Sequence, residues 1–182
     1  MTMKRTLSFI GIYFCIIFLS QACEPNHITI SDIRFSALKL DSNGYYGVTN
    51  TFTDEIVFGV KYVRDDVSYI TFDLSTKAYA TTVPQVIDNP LLVETFSLSF
   101  AQPFVHNDIV IPADQNILSI PEIRSQILID NETGTSFKHL ILFSQDFNNS
   151  SEFINDSYHV VFKCETSDGR LFEKSTDVIF DL

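Results

Sequence analysis

Tyr158-His159-Val160-Val161-Phe162-Lys163-Cys164-Glu165, Ser167-Asp168-Gly169-Arg170 and the return from Leu171 to Asp181 form the stretch from which the fold is read. Tyr158, Val160, Phe162 and Cys164 alternate with His159, Val161, Lys163 and Glu165. A period of two places the sets on opposite faces of an extended strand, the first inward. Asp-Gly between two such runs marks a tight hairpin turn, because it accepts positive φ. Val161 joins the outer set unless the sheet is covered on both sides. An irregularity is expected at Lys174-Ser175-Thr176.

The same period runs back through the chain. Ile28-Thr29-Ile30-Ser31-Asp32-Ile33-Arg34-Phe35 opens on Ile28 and Ile30, then slips register near Asp32, as a bulge would make it do. Asp41-Ser42-Asn43-Gly44 is a turn. Ile56, Phe58, Val60 and Tyr62 share a face of the next strand, and Ile70, Phe72 and Leu74 face inward on its expected antiparallel partner. Ser75 to Pro90 reads as loop. Thr95 to Phe100 is a strand, and Ile109-Val110-Ile111 a short one stopped by Pro112. Ile117 to Ile129 admits a helical turn opened by Pro121 or a strand, with strand favoured. Phe137 to Phe143 is a buried strand. Gln145 to Ser157 is Asn/Ser-rich loop with one helical turn near Phe153.

The expectation is an all-β chain: one antiparallel β-sandwich over 28-182, immunoglobulin-like or related, with about eight strands and little helix. Seventeen Phe and seven Tyr fit that reading, since aromatic and β-branched residues favour strands. About 160 residues suffice for one domain with a sizeable core.

Ahead of that domain, Met1-Thr2-Met3-Lys4-Arg5 is basic, Leu7 to Leu19 is apolar and uncharged, and small residues precede Cys23. This is the layout of a secretory signal, and the apolar run is shorter than the ~20 residues of a membrane-spanning helix. Leu19-Ser20-Gln21-Ala22-Cys23 resembles a bacterial lipobox in the relaxed form common in Bacteroidota, with Ser20 three places before the cysteine. The resemblance implies removal of 1-22, acylation of Cys23 and a short tether over 23-27. It further implies attachment to the membrane through the lipid on Cys23. The other reading is an ordinary signal peptide cut after Ala22. Three acyl chains, the number expected on such a cysteine, exceed the roughly two that stable attachment takes.

Cleavage would remove Lys4 and Arg5 and no acid, taking the formal charge from −11 to −13. Such a domain lacks the basic footprint that nucleic-acid binding requires. Its acidity serves solubility beside a membrane, and charge would not draw it to anionic lipid. With Cys15 in the leader and Cys23 acylated, Cys164 has no partner for an intrachain disulfide. It is expected as a small buried hydrophobe rather than a nucleophile.

Motifs that carry chemistry are missing. His27, His106, His139 and His159 do not fall at zinc-site spacings, and there is no nucleophile elbow, P-loop or HExxH. No catalytic residue, metal ligand or cofactor is assigned. Asp65-Asp66, Asp41-Ser42-Asn43-Gly44 and Asp168-Gly169 read as turns rather than calcium loops. Tyr45-Tyr46, Tyr69 and Tyr79 are candidate sugar-stacking rings. Asn131-Glu132-Thr133, Asn148-Asn149-Ser150 and Asn155-Asp156-Ser157 match glycosylation sequons, incidental in a bacterial lipoprotein.

As a whole the chain resembles small Bacteroidota envelope lipoproteins, in which a relaxed leader precedes a Phe/Tyr/Ile-rich β domain. The likeness rests on the leader, the layout and the Asp-Gly hairpin. It implies a place in the cell envelope, at the outer membrane, and no enzymatic activity. The expected function is binding of another envelope protein or a surface-structural role. A glycan-binding accessory of an outer-membrane uptake system is the alternative, and a small envelope hydrolase is third.

Overall fold

The computed structural model describes residues 26–40, 46–53, 55–65, 85–129 and 137–181. The chain is all-β. In order, the strands are β1 (Asn26–Leu40), β2 (Tyr46–Val48), β3 (Thr51–Phe52), β4 (Val57–Asp65), β5 (Gln85–Ile87) and β6 (Leu91–Phe100). There follow β7 (Phe104–His106), β8 (Ile109–Ile111), β9 (Ser125–Ile129), β10 (His139–Phe143), β11 (Ser151–Glu152), β12 (Tyr158–Thr166) and β13 (Leu171–Phe180). A 3-10 turn at Ile117–Ser119 and one helix, α1 (Gln145–Ser150), are the helical elements among the described residues. The expected hairpin partner at Ser68 to Leu74 and the turn at Asp41 to Gly44 lie outside those residues.

The chain divides into two compact units, Met1–Thr29 with Asp65–Asp88, and Ile30–Arg64 with Asn89–Leu182. In the first, Asn26 to Ile28 pair in parallel with β5, and His27 Nδ1 lies 2.7 Å from Asp88 Oδ1. The stretch from Ser75 to Pro90, expected as loop, thus contains a strand at its described end. Three residues are too few for alternation to declare themselves.

The second unit carries a sheet in the order β2-β1-β4-β10-β9 and another in the order β3-β13-β12-β6. They face one another as a sandwich, and aromatic rings join them. Phe35 on β1 stacks on Phe58 of its own sheet at 5.3 Å and on Phe162 of β12 at 5.1 Å. Phe96 on β6 meets Phe162 edge-on at 5.0 Å. The terminal hairpin follows its sequence pattern: Tyr158, Val160, Phe162, Cys164 and Thr166 are buried and Lys163 is exposed. Gly169 supplies the positive φ, +83°, at the turn. Val161 is half-buried.

Three features depart from expectation. Alternation at β4 is overridden, and Ile56 to Val60 are all buried. Leu38, Phe137 and Leu140 form a second core around Val57, and a Cβ at Gly59 would collide with Leu38 and Phe137. The irregularity expected at Lys174 to Thr176 is not there: β13 pairs with β12 without interruption from Leu171 to Val178. The break falls instead on the opposite side of β12, between Lys163 and Glu165 against β6. Lys174 shares the inward face with Phe162 and reaches the Asp32 carboxylate at 2.9 Å. Among the described residues β3 pairs with β13 only at Ile179 and Phe180, so Lys174 lies on an uncovered stretch where an inward charge discourages strand addition; in the sequence it imitates an irregularity. Finally, β1–β5 and β3–β13 pair in parallel. Period-two patterning assigns faces and says nothing about a neighbour's direction.

Other segments resolve the open readings. Between Ile117 and Ile129 the favoured strand reading holds as β9, while the helical turn that Pro121 would have opened is absent; a 3-10 turn capped by Asn116 lies before that proline instead. The helical turn expected near Phe153 sits earlier, in α1, because Ser144 Oγ accepts from Phe147 N and caps it there. In β1 the buried set shifts parity between Ile30 and Ile33, as the slip near Asp32 foretold.

Candidate interaction surface

A small third sheet, β11-β7-β8, is fixed to the sandwich through Phe104. That ring touches Phe100 at 5.2 Å, Phe147 of α1 at 6.0 Å and Phe153 at 5.4 Å. Tyr158 secures the flanking loops, its hydroxyl accepting from Ile154 N at 3.0 Å and donating to Pro103 O at 3.3 Å. On this base β7 and β8 form a two-residue hairpin. Asn107 and Asp108 both have positive φ, 51° and 62°, which defines the turn that matches strand twist and favours Asn and Asp.

His106, beside that turn, is buried. Asn107 Nδ2 donates to its Nε2 at 3.1 Å, so the ring proton sits on Nδ1 and goes to Ser151 Oγ at 3.0 Å. The imidazole therefore locks the turn to β11. Beyond it opens a groove of about 290 Å³, lined by His106, Asn107, Ile109, Val110, Ile111, Gln115, Ile120 and Glu122. Ile109 and Val110 are 59% and 66% exposed.

The charge around this layer is one-sided. Residues 101–123 and 144–157, which build the layer and its supports, hold Asp108, Asp114, Glu122, Asp146, Glu152 and Asp156 and no Lys or Arg. The next cation along the chain, Arg124, leads into β9, with its carbonyl on Ser144 N at 3.0 Å.

Protein-family models, curated proteins and solved structures were compared with the chain, and none matches.

The residues singled out in the sequence are placed as follows. Cys23, Asp41 to Gly44, Tyr45, Asp66, Tyr69, Tyr79 and the sequon at Asn131 lie outside the described residues. Tyr46 packs on the Leu38 and Val57 core; burial, helped by Glu55, raises its pKa. Among the described residues no Phe or Tyr is exposed. At Asp168 one carboxylate oxygen takes two bonds from Arg170, at 2.9 and 2.7 Å, and the other takes the Thr166 hydroxyl. Those bonds pull its pKa down to about 2, the Arg170 side chain first. The turn is closed by its own partners. Asn148 is buried, whereas Asn155 is exposed and donates to the Tyr158 hydroxyl at 3.2 Å. Among the described residues no group of three His, Cys, Asp or Glu could hold a metal ion.

His159 pairs with Asp177 on the surface at 2.7 Å, but His139 lies between the sheets, 3% exposed. Its Nε2 meets the Tyr62 hydroxyl at 2.6 Å, and its ring stands edge-on to Phe96 at 5.2 Å. Nδ1 has no hydrogen-bond partner among the described residues. Burial pushes its pKa down to about 4. Cys164 is buried, and burial raises its thiol to about 12. Tyr62 is likewise raised to about 12, by burial first and then by Cys164. A thiol and a phenol so shifted hold their protons at neutral pH, the opposite of an activated nucleophile.

Proposed function

We propose that the chain is a lipid-anchored cell-envelope protein, held by acylated Cys23 at the outer membrane, whose β-sandwich is non-enzymatic and binds another protein. The observation that supports binding is the β7–β8 hairpin: an exposed apolar pair on a strand with one free edge, in a layer without a cation. Soluble proteins seldom leave such an edge uncovered unless it is used. The leader supports the anchor, and the net acidity supports a lipid rather than charge as the source of membrane affinity.

Both halves are testable in cells. Cys23→Ala should abolish lipid labelling and leave unprocessed or misplaced protein; a variant still membrane-bound and correctly matured would remove the anchor. A photo-crosslinking residue at Val110 should give a discrete protein adduct that the same probe at exposed Glu173 does not. Equal adducts at both places, or none at Val110, would remove the binding role.

A further inference from the structure

Resting on that protein-binding reading, we infer that the free edge of β8 takes an extended segment of a partner chain that alternates apolar residues with Lys or Arg. The two-residue turn makes His106 and Ile109 the hydrogen-bonded closing pair of the hairpin. Val105 and Val110, next along, form the non-bonded pair, so the N–H and C=O of Val110 point away from β7. Because β8 is the outer strand of its sheet, those groups have no backbone partner among the described residues. An added strand would pair there and lay apolar side chains into the groove beside Ile109.

Pro112 confines this edge to three residues, but within them it carries no charged guard. On β13 the inward Lys174, held by Asp32, discourages strand addition. On β8 there is no charge, and Pro112 begins only after Ile111. Charge selects the occupant. A second copy of this chain would bring the same acids against Asp108 and Glu122, and an anionic lipid surface would be repelled in the same way. A cationic segment meets neither obstacle.

The test uses the full-length protein in neutral detergent and two fluorescent peptides of about eight residues, alternating Val with Lys or Val with Glu. Anisotropy should show the Lys peptide binding at least about tenfold tighter, and weakening severalfold from about 0.05 to 0.5 M salt. Val110→Pro removes an N–H that the hairpin does not use, and should abolish that binding with the thermal transition retained. Asp108→Asn with Glu122→Gln, two exposed changes, should instead flatten the salt dependence. Equal affinity for both peptides, or unchanged binding by Val110→Pro, would overturn the inference. So would self-association or anionic-vesicle binding that Val110→Pro abolishes. Should the Lys peptide fail while the Val110 crosslink in cells persists, the partner class is wrong and the protein-binding reading stands; loss of both removes both.

Discussion

Phe162→Ala removes a ring that joins the two sheets. The side chain is fully buried, with its plane 11° from Phe35 and 86° from Phe96. Truncating a buried Phe costs about 3–5 kcal/mol, more where the surroundings cannot collapse. Here collapse is opposed, because Phe35 is already stacked on Phe58 and cannot follow the vacated space without leaving that partner. Two ring contacts, each worth about 0.5–1.5 kcal/mol beyond area, place the expected cost in the upper part of the range, about 4–5 kcal/mol. That is a large fraction of the roughly 5–15 kcal/mol by which domains are stable.

The control is the adjacent residue. Lys163 is exposed and pairs with Glu173 at 3.0 Å in solvent, so Lys163→Ala should change stability by less than about 0.5 kcal/mol. Urea unfolding followed by circular dichroism measures both. The midpoint should fall sharply for Phe162→Ala with the slope unchanged. A cost below about 2 kcal/mol would mean that the sheets are not joined through this ring. A larger loss from Lys163→Ala would put the register off by one residue and exchange the two faces.

Three further outcomes follow from buried polar groups. His139 is held neutral, with its pKa lowered to about 4, against about 6.5 when unfolded. The unfolded chain therefore binds the proton more readily, and stability is complete above pH 6.5 and lost as pH falls toward 4, by up to about 3 kcal/mol. Urea midpoints across that window should lose this slope in His139→Phe; a slope unchanged in the variant would assign it elsewhere, and Asp168 titrates below it. Cys164 should resist thiol reagents until the domain unfolds, and Cys164→Ala should cost about 1–2 kcal/mol; rapid labelling of the native protein would contradict its burial. Asn89, buried, accepts from Ile30 N at 2.7 Å and donates to Ile30 O at 3.1 Å. Asn89→Ala leaves both backbone groups unsatisfied and should cost about 2–4 kcal/mol, whereas a cost under about 1 kcal/mol would mean that water replaces the amide.

The fold class and the terminal hairpin were legible because long alternating runs depend on one physical fact, that a strand half in water sorts its side chains by face. Where that fact fails, so does the reading. At β4 both faces are covered and alternation carries no information. At β3, β5, β7 and β11 two or three residues are too few to show a period, whereas β8 was legible from its β-branched run and the Pro112 that stops it. Lys174 is polar on an inward face, and a pattern reader sees an irregularity where the chain has placed an edge guard. The parallel pairing of β3 with β13 leaves no trace in patterning.

The buried histidine and the hairpin edge differ in how far they could have been foreseen. His139 opens β10, where Leu140, Ile141 and Phe143 are buried as well, so it is membership of a strand covered on both faces, not alternation, that places it inside. Treating it as one of four scattered histidines passed over that signal. The hairpin had a local signal too, Asn107-Asp108 between Phe104-Val105-His106 and Ile109-Val110-Ile111. Its value as a surface depends on facts of the fold. That β8 ends its sheet, and that Glu122 shares a groove with Ile109, follow from the packing of Phe104 and not from any motif. The absence of cations is visible in each of the two segments, but it has meaning only once the fold has put 101–123 and 144–157 into one layer.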